Sequence, residues 1–280
     1  MKIITDIHEM QSFADALRGE GKTIGFVPTM GFLHEGHVSL MRAARTSCDV
    51  VVVSIFVNPT QFGPQEDFDR YPRDEDGDRR KCENAGVDIL FMPTTSGMYP
   101  EKPTVFVMVE ELSDVLEGAV RPGHFRGVAT VVSKLLHIVK PHRAFFGQKD
   151  YQQCAVIRRM VKDLNLDAAI ETLPTVREQD GLAMSSRNSY LNAEERRAAA
   201  TIYRALSAAE HLAQNGTREP GILKNKVQAV LQEEPGITID YIEIVDHETL
   251  APLPSPKNRM VLLVAVRIGR TRLIDNLLLL

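Results

Sequence analysis

Residues 49–57, Asp-Val-Val-Val-Val-Ser-Ile-Phe-Val, are apolar almost without interruption and rich in valine. A strand with one wet face alternates apolar and polar side chains. One without that alternation is covered on both faces, as an inner strand of a parallel sheet is when helices pack above and below it. The run stops at Asn58-Pro59, where proline withdraws a ladder donor. A buried parallel strand cannot stand alone, so the rest of the chain has to supply neighbouring strands and the helices that connect them.

It does so through residue 176. Asp6 with Glu9 forms a capping-box pattern ahead of a stripe of Ile7, Met10, Phe13, Ala14 and Leu17 that ends at Gly19. Residues 22–27 form a strand, and from His37 the apolar residues Leu40, Met41 and Ala44 recur at helical spacing. After residues 49–57 comes a polar, aromatic, proline-punctuated loop at 60–73, then a charged helix, a strand at 88–92 and a second loop at 93–103. Val128, Val131, Val132, Leu135, Leu136 and Val139 mark a helix; 143–146 is a short strand; Cys154, Ile157, Val161 and Leu164 mark another helix; 168–176 is a further strand. Such alternation predicts an α/β domain over residues 1–176, a Rossmann-like, doubly wound parallel sheet. The pattern then changes. Asn192 with Glu195 opens an alanine-rich helix to about Gln214, and Pro220 opens another that ends near Glu234. Strands follow at 238–245, 260–267 and 270–274, with a turn at Gly269. Residues 177–280 therefore read as a smaller C-terminal α+β domain.

With 280 residues the chain has ample material for a core, and its formal net charge of -4 argues against a broad basic face for nucleic acid. Three scattered cysteines, Cys48, Cys82 and Cys154, with no CxxC, read as reduced thiols in a cytoplasmic protein. The N-terminus lacks signal-peptide features and no apolar run approaches about 18 residues, so no membrane association is expected.

Between the strand at 22–27 and the next helix lies Pro28-Thr-Met-Gly-Phe-Leu-His34-Glu-Gly-His37. A helix N-terminus offers unpaired N–H groups and a positive dipole end to a phosphate, and Gly31 and Gly36 let a ligand come close to the backbone. His34 and His37, three apart, share one face of that turn. The positive helix end disfavours imidazolium, so each is expected neutral, with one N–H for phosphate oxygens. A packing or capping role competes with phosphate binding for the pair, and zinc is the weakest option because no Cys or carboxylate cluster stands at ligand spacing. Gly-Lys-Thr at 21–23 is not a Walker motif: the first Walker glycine falls on Ala16, and the order is helix then strand.

Three further segments carry candidate chemistry. Gly147-Gln148-Lys149-Asp150 follows a strand and precedes a helix, the ligand-binding end of such a sheet; Lys149 suits phosphate charge and Asp150 suits ribose hydroxyls, against a bland reading as a solvated turn. Met184-Ser185-Ser186-Arg187-Asn188 offers two hydroxyls and a guanidinium in succession, either a phosphate clamp or a polar linker between domains. Arg121-Pro-Gly-His124-Phe-Arg126-Gly127 is either a basic site or a helix start. Gln153, one turn beyond Asp150, gains interest beside Gln61.

Taken together, Val27-Pro-Thr-Met-Gly with His34-Glu-Gly-His37, Ser54-Ile-Phe-Val-Asn-Pro-Thr-Gln-Phe62, Tyr71-Pro-Arg73, Leu116-Glu-Gly118 with Arg121 to Gly127, Phe146-Gly-Gln-Lys-Asp-Tyr-Gln-Gln153, Asp180-Gly-Leu-Ala-Met-Ser-Ser-Arg-Asn188 and Arg272-Leu-Ile-Asp-Asn276 resemble the pantothenate synthetase family, pantoate–β-alanine ligases within the HxGH nucleotidyltransferase superfamily. The resemblance implies an AMP-forming ligase that condenses (R)-pantoate with β-alanine to pantothenate, AMP and diphosphate through a pantoyl-adenylate. It implies ATP as co-substrate, Mg2+, a homodimer built through the nucleotide-binding domain, and a lid role for the C-terminal domain. By the same resemblance His37, His34, Lys149, Ser185, Ser186 and Arg187 are catalytic, with His37 as proton donor. ATP binding falls to Met30, Gly31, Phe32, Leu33, His34, Glu35, Gly36, His37, Gly147, Gln148, Lys149, Asp150, Val176, Met184, Ser185, Ser186 and Arg187. Pantoate falls to Gln61 and Gln153, and β-alanine to Gln61. Gln148 stands where the family commonly has Glu, and Thr60 where it commonly has Met. A nucleotidyltransferase that stops at a nucleotide-linked product, and a silent nucleotide sensor, are the competing readings.

Overall fold

The computed structural model describes residues 1–64 and 66–280, so the loop expected at 60–73 is covered except for Gln65, which lies outside the described residues. Two compact units emerge: residues 1–147 with 152–174, and residues 148–151 with 175–280.

In the first unit β1 (Lys2–Ile4), α1 (Ile7–Gly19), β2 (Ile24–Thr29), α2 (Glu35–Ser47), β3 (Val50–Ile55), α3 (Glu75–Asn84), β4 (Ile89–Phe91), α4 (Thr95–Met98), α5 (Glu117–Val120), α6 (His124–Val139), β5 (Arg143–Gly147), α7 (Tyr151–Asp163) and β6 (Ala169–Leu173) follow one another. The strands form one sheet of order β1-β4-β3-β2-β5-β6, parallel at every pairing. Chain direction reverses between β2 and β5: the chain steps outward from β2 to β3 and β4, then returns to the other side of β2. In a sheet of this kind the crevice at the carboxyl ends of the two strands flanking the reversal is where ligands bind. As the unbroken valine run requires, Val51, Val52 and Val53 on β3 are all fully buried. Leu40, Met41 and Ala44 of α2 pack with Val27, Val51, Val53, Leu90 and Phe145 beneath them, while α1 packs with α6.

The details that depart from the sequence reading have local causes. The three-residue β1 carries no periodicity of its own and exists by pairing with β4. The loop at 93–103 contains the single helical turn α4, capped by the Thr94 hydroxyl accepting from the Gly97 N–H at 3.0 Å. Asp6 caps α1, accepting from the Glu9 N–H at 2.8 Å, and Glu9 itself pairs with Lys2.

In the second unit α8 (Ala193–Gln214) and α9 (Pro220–Gln232) precede β7 (Ile237–Asp246), β8 (Met260–Ile268) and β9 (Thr271–Leu279), an antiparallel sheet of order β7-β8-β9. The reciprocal cap expected at Asn192 and Glu195 is formed. Ala199, Ile202, Leu206, Leu223, Val227, Met260, Leu262 and Val264 build its core. The sequence pattern ends the last strand at residue 274, because Asp275 and Asn276 break the apolar alternation. The strand continues through them, and both are buried, 3% and 1% exposed, because their hydrogen bonds are satisfied inside.

Candidate active site

β2 ends at Thr29, and the chain must turn sharply before α2 begins at Glu35. The turn uses Gly31 at φ +84° and Phe32 at φ 49°, a left-handed conformation that glycine adopts freely and phenylalanine does not. What holds Phe32 there comes from a distant element. Asp78 on α3 points both carboxylate oxygens at the turn, Oδ2 accepting from the Phe32 N–H at 2.8 Å and Oδ1 from the Leu33 N–H at 2.7 Å. A Cβ on Gly31 would stand 3.0 Å from Asp78 Oδ2. Burial pushes the Asp78 carboxyl up, and the two backbone N–H bonds oppose that shift.

The two histidines emerge from this pinned turn. His34 is the N-cap of α2 and His37 its third residue; their rings lie 4.1 Å apart at an interplanar angle of 40°. The His34 N–H donates to His37 Nδ1 at 3.2 Å. That bond fixes the tautomer: a neutral His37 that accepts at Nδ1 carries its proton on Nε2.

At the carboxyl end of β3, Asn58 caps a 3-10 turn, Pro59–Gln61. The Gln61 amide is oriented by its neighbours, its oxygen accepting from Asn58 Nδ2 at 3.0 Å and its Nε2 donating to Met30 Sδ at 3.3 Å. Gln61 and Met30, distant in sequence, are thus brought together. The segment 121–127 proves to be the entry to α6 and a brace for this turn. Arg121 makes a two-pronged ion pair with Glu66, at 2.7 and 2.5 Å. His124 Nδ1 donates to the Gln61 carbonyl at 2.8 Å, and His124 Nε2 accepts from Arg121 at 3.0 Å. Guanidinium only donates, so Nε2 must be bare and the imidazole neutral. Consistently, burial first and the Arg121 charge second push His124 down to about 4. Gln153, on the first turn of α7, is half-buried, whereas its neighbour Gln152 is buried and structural, accepting from the Glu117 N–H and donating to the Leu112 and Val115 carbonyls.

Gly147 ends β5 in the first unit, but residues 148–151 belong with the second. There Asn276 of β9 donates through Nδ2 to the Gln148 carbonyl at 3.0 Å and the Lys149 carbonyl at 2.9 Å, while the Gln148 side chain donates to Asn276 Oδ1 at 3.3 Å. Lys149 Nζ lies 3.4 Å from Asp150 Oδ1. Asp275, whose carboxyl burial pushes up, is held by Arg177 at 2.5 and 3.0 Å, and Arg177 also lies over the Tyr203 ring.

Residues 176–188 are not a slack linker. The Met184 N–H donates to the Val176 carbonyl at 3.0 Å, the Glu178 N–H to the Leu182 carbonyl at 2.8 Å, and Arg177 bridges Ala183, so Val176 and Met184 face each other across a small hairpin. Ser185 then caps a 3-10 turn, its hydroxyl accepting from the Arg187 N–H at 3.2 Å, and Ser186 is buried. Asn188 ties the turn back, donating to Glu178 at 2.9 Å and the Ala183 carbonyl at 3.1 Å.

Asn58, Asp78 and Tyr99, which the sequence reading passes over, act on the site residues from behind. Asn58 lies inside the motif that carries Gln61. Asp78 sits on the charged helix α3, with no local signal to distinguish it from its neighbours.

A parallel sheet reversing between β2 and β5, with a histidine pair at the N-terminus of the helix after β2, defines a doubly wound α/β protein whose ligand crevice lies at that reversal. The family model described as pantoate-beta-alanine ligase matches residues 2–278, and the chain belongs to that family of pantothenate-forming ligases. The pantothenate synthetase of Thermotoga petrophila is 54% identical over 279 residues, covering 100% of both chains; that of Geobacter sulfurreducens is 54% identical over 276 residues, covering 99% of this chain and 98% of its own. The crystal structure of the Thermus thermophilus pantothenate synthetase superposes with a TM-score of 0.94 at 46% identity, covering 99% of each chain. A Francisella tularensis pantoate-beta-alanine ligase, solved in complex with beta-gamma ATP and beta-alanine, superposes with a TM-score of 0.82 at 38% identity over 99% of this chain and 97% of its own.

Proposed function

We propose that this ligase forms pantothenate in two steps on ATP. A pantoate carboxylate oxygen attacks the α-phosphorus, the bond to diphosphate breaks, and pantoyl-adenylate forms. The β-alanine amine then attacks the acyl carbon, AMP leaves, and the amine gives up a proton. The observation that carries the reading is the His34–His37 pair at the N-terminus of α2, 4.1 Å ring to ring, at the end of β2 beside the sheet reversal. Charge accumulates on phosphate oxygens as diphosphate departs, and pre-aimed donors stabilise it without a covalent enzyme intermediate. His37 Nε2–H, set by the His34 N–H, is one such donor; His34, Lys149, Ser185, Ser186 and Arg187 are the others. Met30 to His37, Gly147 to Asp150, Val176 and Met184 to Arg187 line ATP. Gln61 and Gln153 hold pantoate, and Gln61 also borders β-alanine.

Mg2+ belongs to this proposal as the companion of ATP. Among the described residues no group of three or more His, Cys, Asp or Glu could hold a metal. Mg2+ on a nucleotide is usually bound mainly by phosphates and water. When bound, it would neutralise phosphate charge. The three cysteines, scattered in sequence and buried, support a cytoplasmic, reducing location, and among the described residues no helix is long and apolar enough to cross a membrane. We read the protein as a homodimer. Residues 102–109 lie outside any helix or strand and expose Val105 and Met108, at 79% and 61%, apolar surface that a second copy would cover.

The test is pantoate-dependent exchange of labelled diphosphate into ATP, followed by β-alanine-dependent AMP release. His37→Ala is expected to slow adenylate formation about 100-fold or more; an unchanged single-turnover rate would refute the role given to His37.

A further inference from the structure

Gln61 is held by more than its own turn. Asn58, 1% exposed, connects it to Tyr99, 41 residues beyond Asn58 in sequence. The Asn58 amide has one possible orientation. Its oxygen meets three donors, the Thr60 N–H at 3.3 Å, the Thr60 hydroxyl at 3.0 Å and the Tyr99 hydroxyl at 2.9 Å. Its nitrogen meets two acceptors, Gln61 Oε1 at 3.0 Å and the Gly127 carbonyl at 3.3 Å. Turning the amide over would set its NH2 against an N–H donor and place its oxygen against two oxygens.

We propose that Tyr99, seconded by Thr60, is a positioning residue for pantoate. Its hydroxyl locks the Asn58 amide, Asn58 Nδ2 engages Gln61 Oε1, and Gln61 is left to present its NH2 group to the substrate. That NH2 now rests on Met30 Sδ at 3.3 Å, a weak acceptor that a substrate oxygen outcompetes. The relay therefore suits this corner to a hydroxyl or carboxylate oxygen. Thr60 Oγ1 also lies 3.4 Å from the Tyr99 hydroxyl. The Tyr99 ring is held independently of its hydroxyl, against Phe56 with centroids 6.3 Å apart and beneath Lys134 at 5.2 Å. Burial pushes the phenol up, so it stays a donor through neutral pH. The inference rests on the assignment of Gln61 to pantoate.

The experiment is steady-state kinetics on the full chain with Tyr99→Phe, Thr60→Val and Gln61→Ala side by side. Tyr99→Phe is expected to raise the pantoate KM about 3- to 10-fold, the worth of one hydrogen bond, with ATP KM and kcat at saturating pantoate within about twofold of the parent. Thr60→Val is expected to move the pantoate KM in the same direction by less. A normal pantoate KM in both hydroxyl variants, while Gln61→Ala raises it, overturns the relay and leaves the Gln61 assignment standing. A parallel rise in ATP KM or fall in kcat in Tyr99→Phe marks a merely structural tyrosine and also overturns it. An unfolded Tyr99→Phe with an unchanged Thr60→Val does the same. A normal pantoate KM in Gln61→Ala removes the assignment itself, and the relay with it.

Discussion

His124 is among the most constrained side chains of the first unit, because both ring nitrogens are committed. Nδ1–H goes to the Gln61 carbonyl, and Nε2 takes a proton from Arg121. Protonation would aim Nε2–H at a guanidinium. Of the groups around it, Arg121 opposes the charge and Glu66 and Glu117 favour it, but burial dominates and brings His124 down to about 4. An unfolded histidine binds its proton near pH 6.5, so between pH 6.5 and 4 the unfolded chain holds a proton that the folded chain does not. The stability this contributes is complete above pH 6.5 and drains away as pH falls, about 3 kcal/mol between pH 7 and pH 4. Urea unfolding at pH 7 and pH 4.5 on the parent and on His124→Gln measures it: the variant is expected to lose markedly less stability between the two pH values. The two kinds of histidine also differ in how legible they were. His34 and His37 are three residues apart and share a helix turn, so their spacing predicts their adjacency. His124 meets Gln61 across 63 residues, and Asn58 meets Gly127 across 69; nothing in the local pattern encodes those pairings.

At the level of elements, α6 approaches the Pro59–Gln61 turn more closely than any side chain permits. A Cβ on Gly127 would fall 2.4 Å from the Thr60 carbonyl oxygen and 2.6 Å from Gln61 Cα, both of them backbone. Gly127→Ala must therefore push the turn away from the helix. The expected outcome is a loss of about 1 to 3 kcal/mol, read as a lowered Tm, together with a raised pantoate KM; a variant as stable and as active as the parent would contradict this packing. Elements with strong periodicity were readable from their residues. The valine run of β3, the α2 stripe and the cap of α8 fall within a few residues of where the pattern puts them. β1 was not readable, because three residues have no period. The far half of β9 was hidden for a different reason: Asp275 and Asn276 look like a break until Arg177 and residues 148–149 are seen to satisfy them. Met184 to Asn188 reads either as a phosphate clamp or as a polar linker, and only the hydrogen bonds to Val176, Glu178 and Ala183 reveal a built turn.

For the molecule as a whole, the homodimer proposed from the exposed run at 102–109 predicts a hydrodynamic result. Placing charge on that run with Val105→Glu and Met108→Glu is expected to halve the mass found by sedimentation equilibrium. A parent already sedimenting at 31.3 kDa would remove the proposal. The division of the chain into two units has a less obvious corollary. Residues 148–151 interrupt the first unit in sequence but belong with the second, and what anchors them is Asn276, on the last strand. During synthesis on the ribosome every strand of the parallel sheet emerges long before residue 276 does. A nascent chain can therefore fold its parallel sheet while the backbone on either side of Lys149 still lacks its anchor, and competence for the phosphate chemistry proposed here waits on the synthesis of β9.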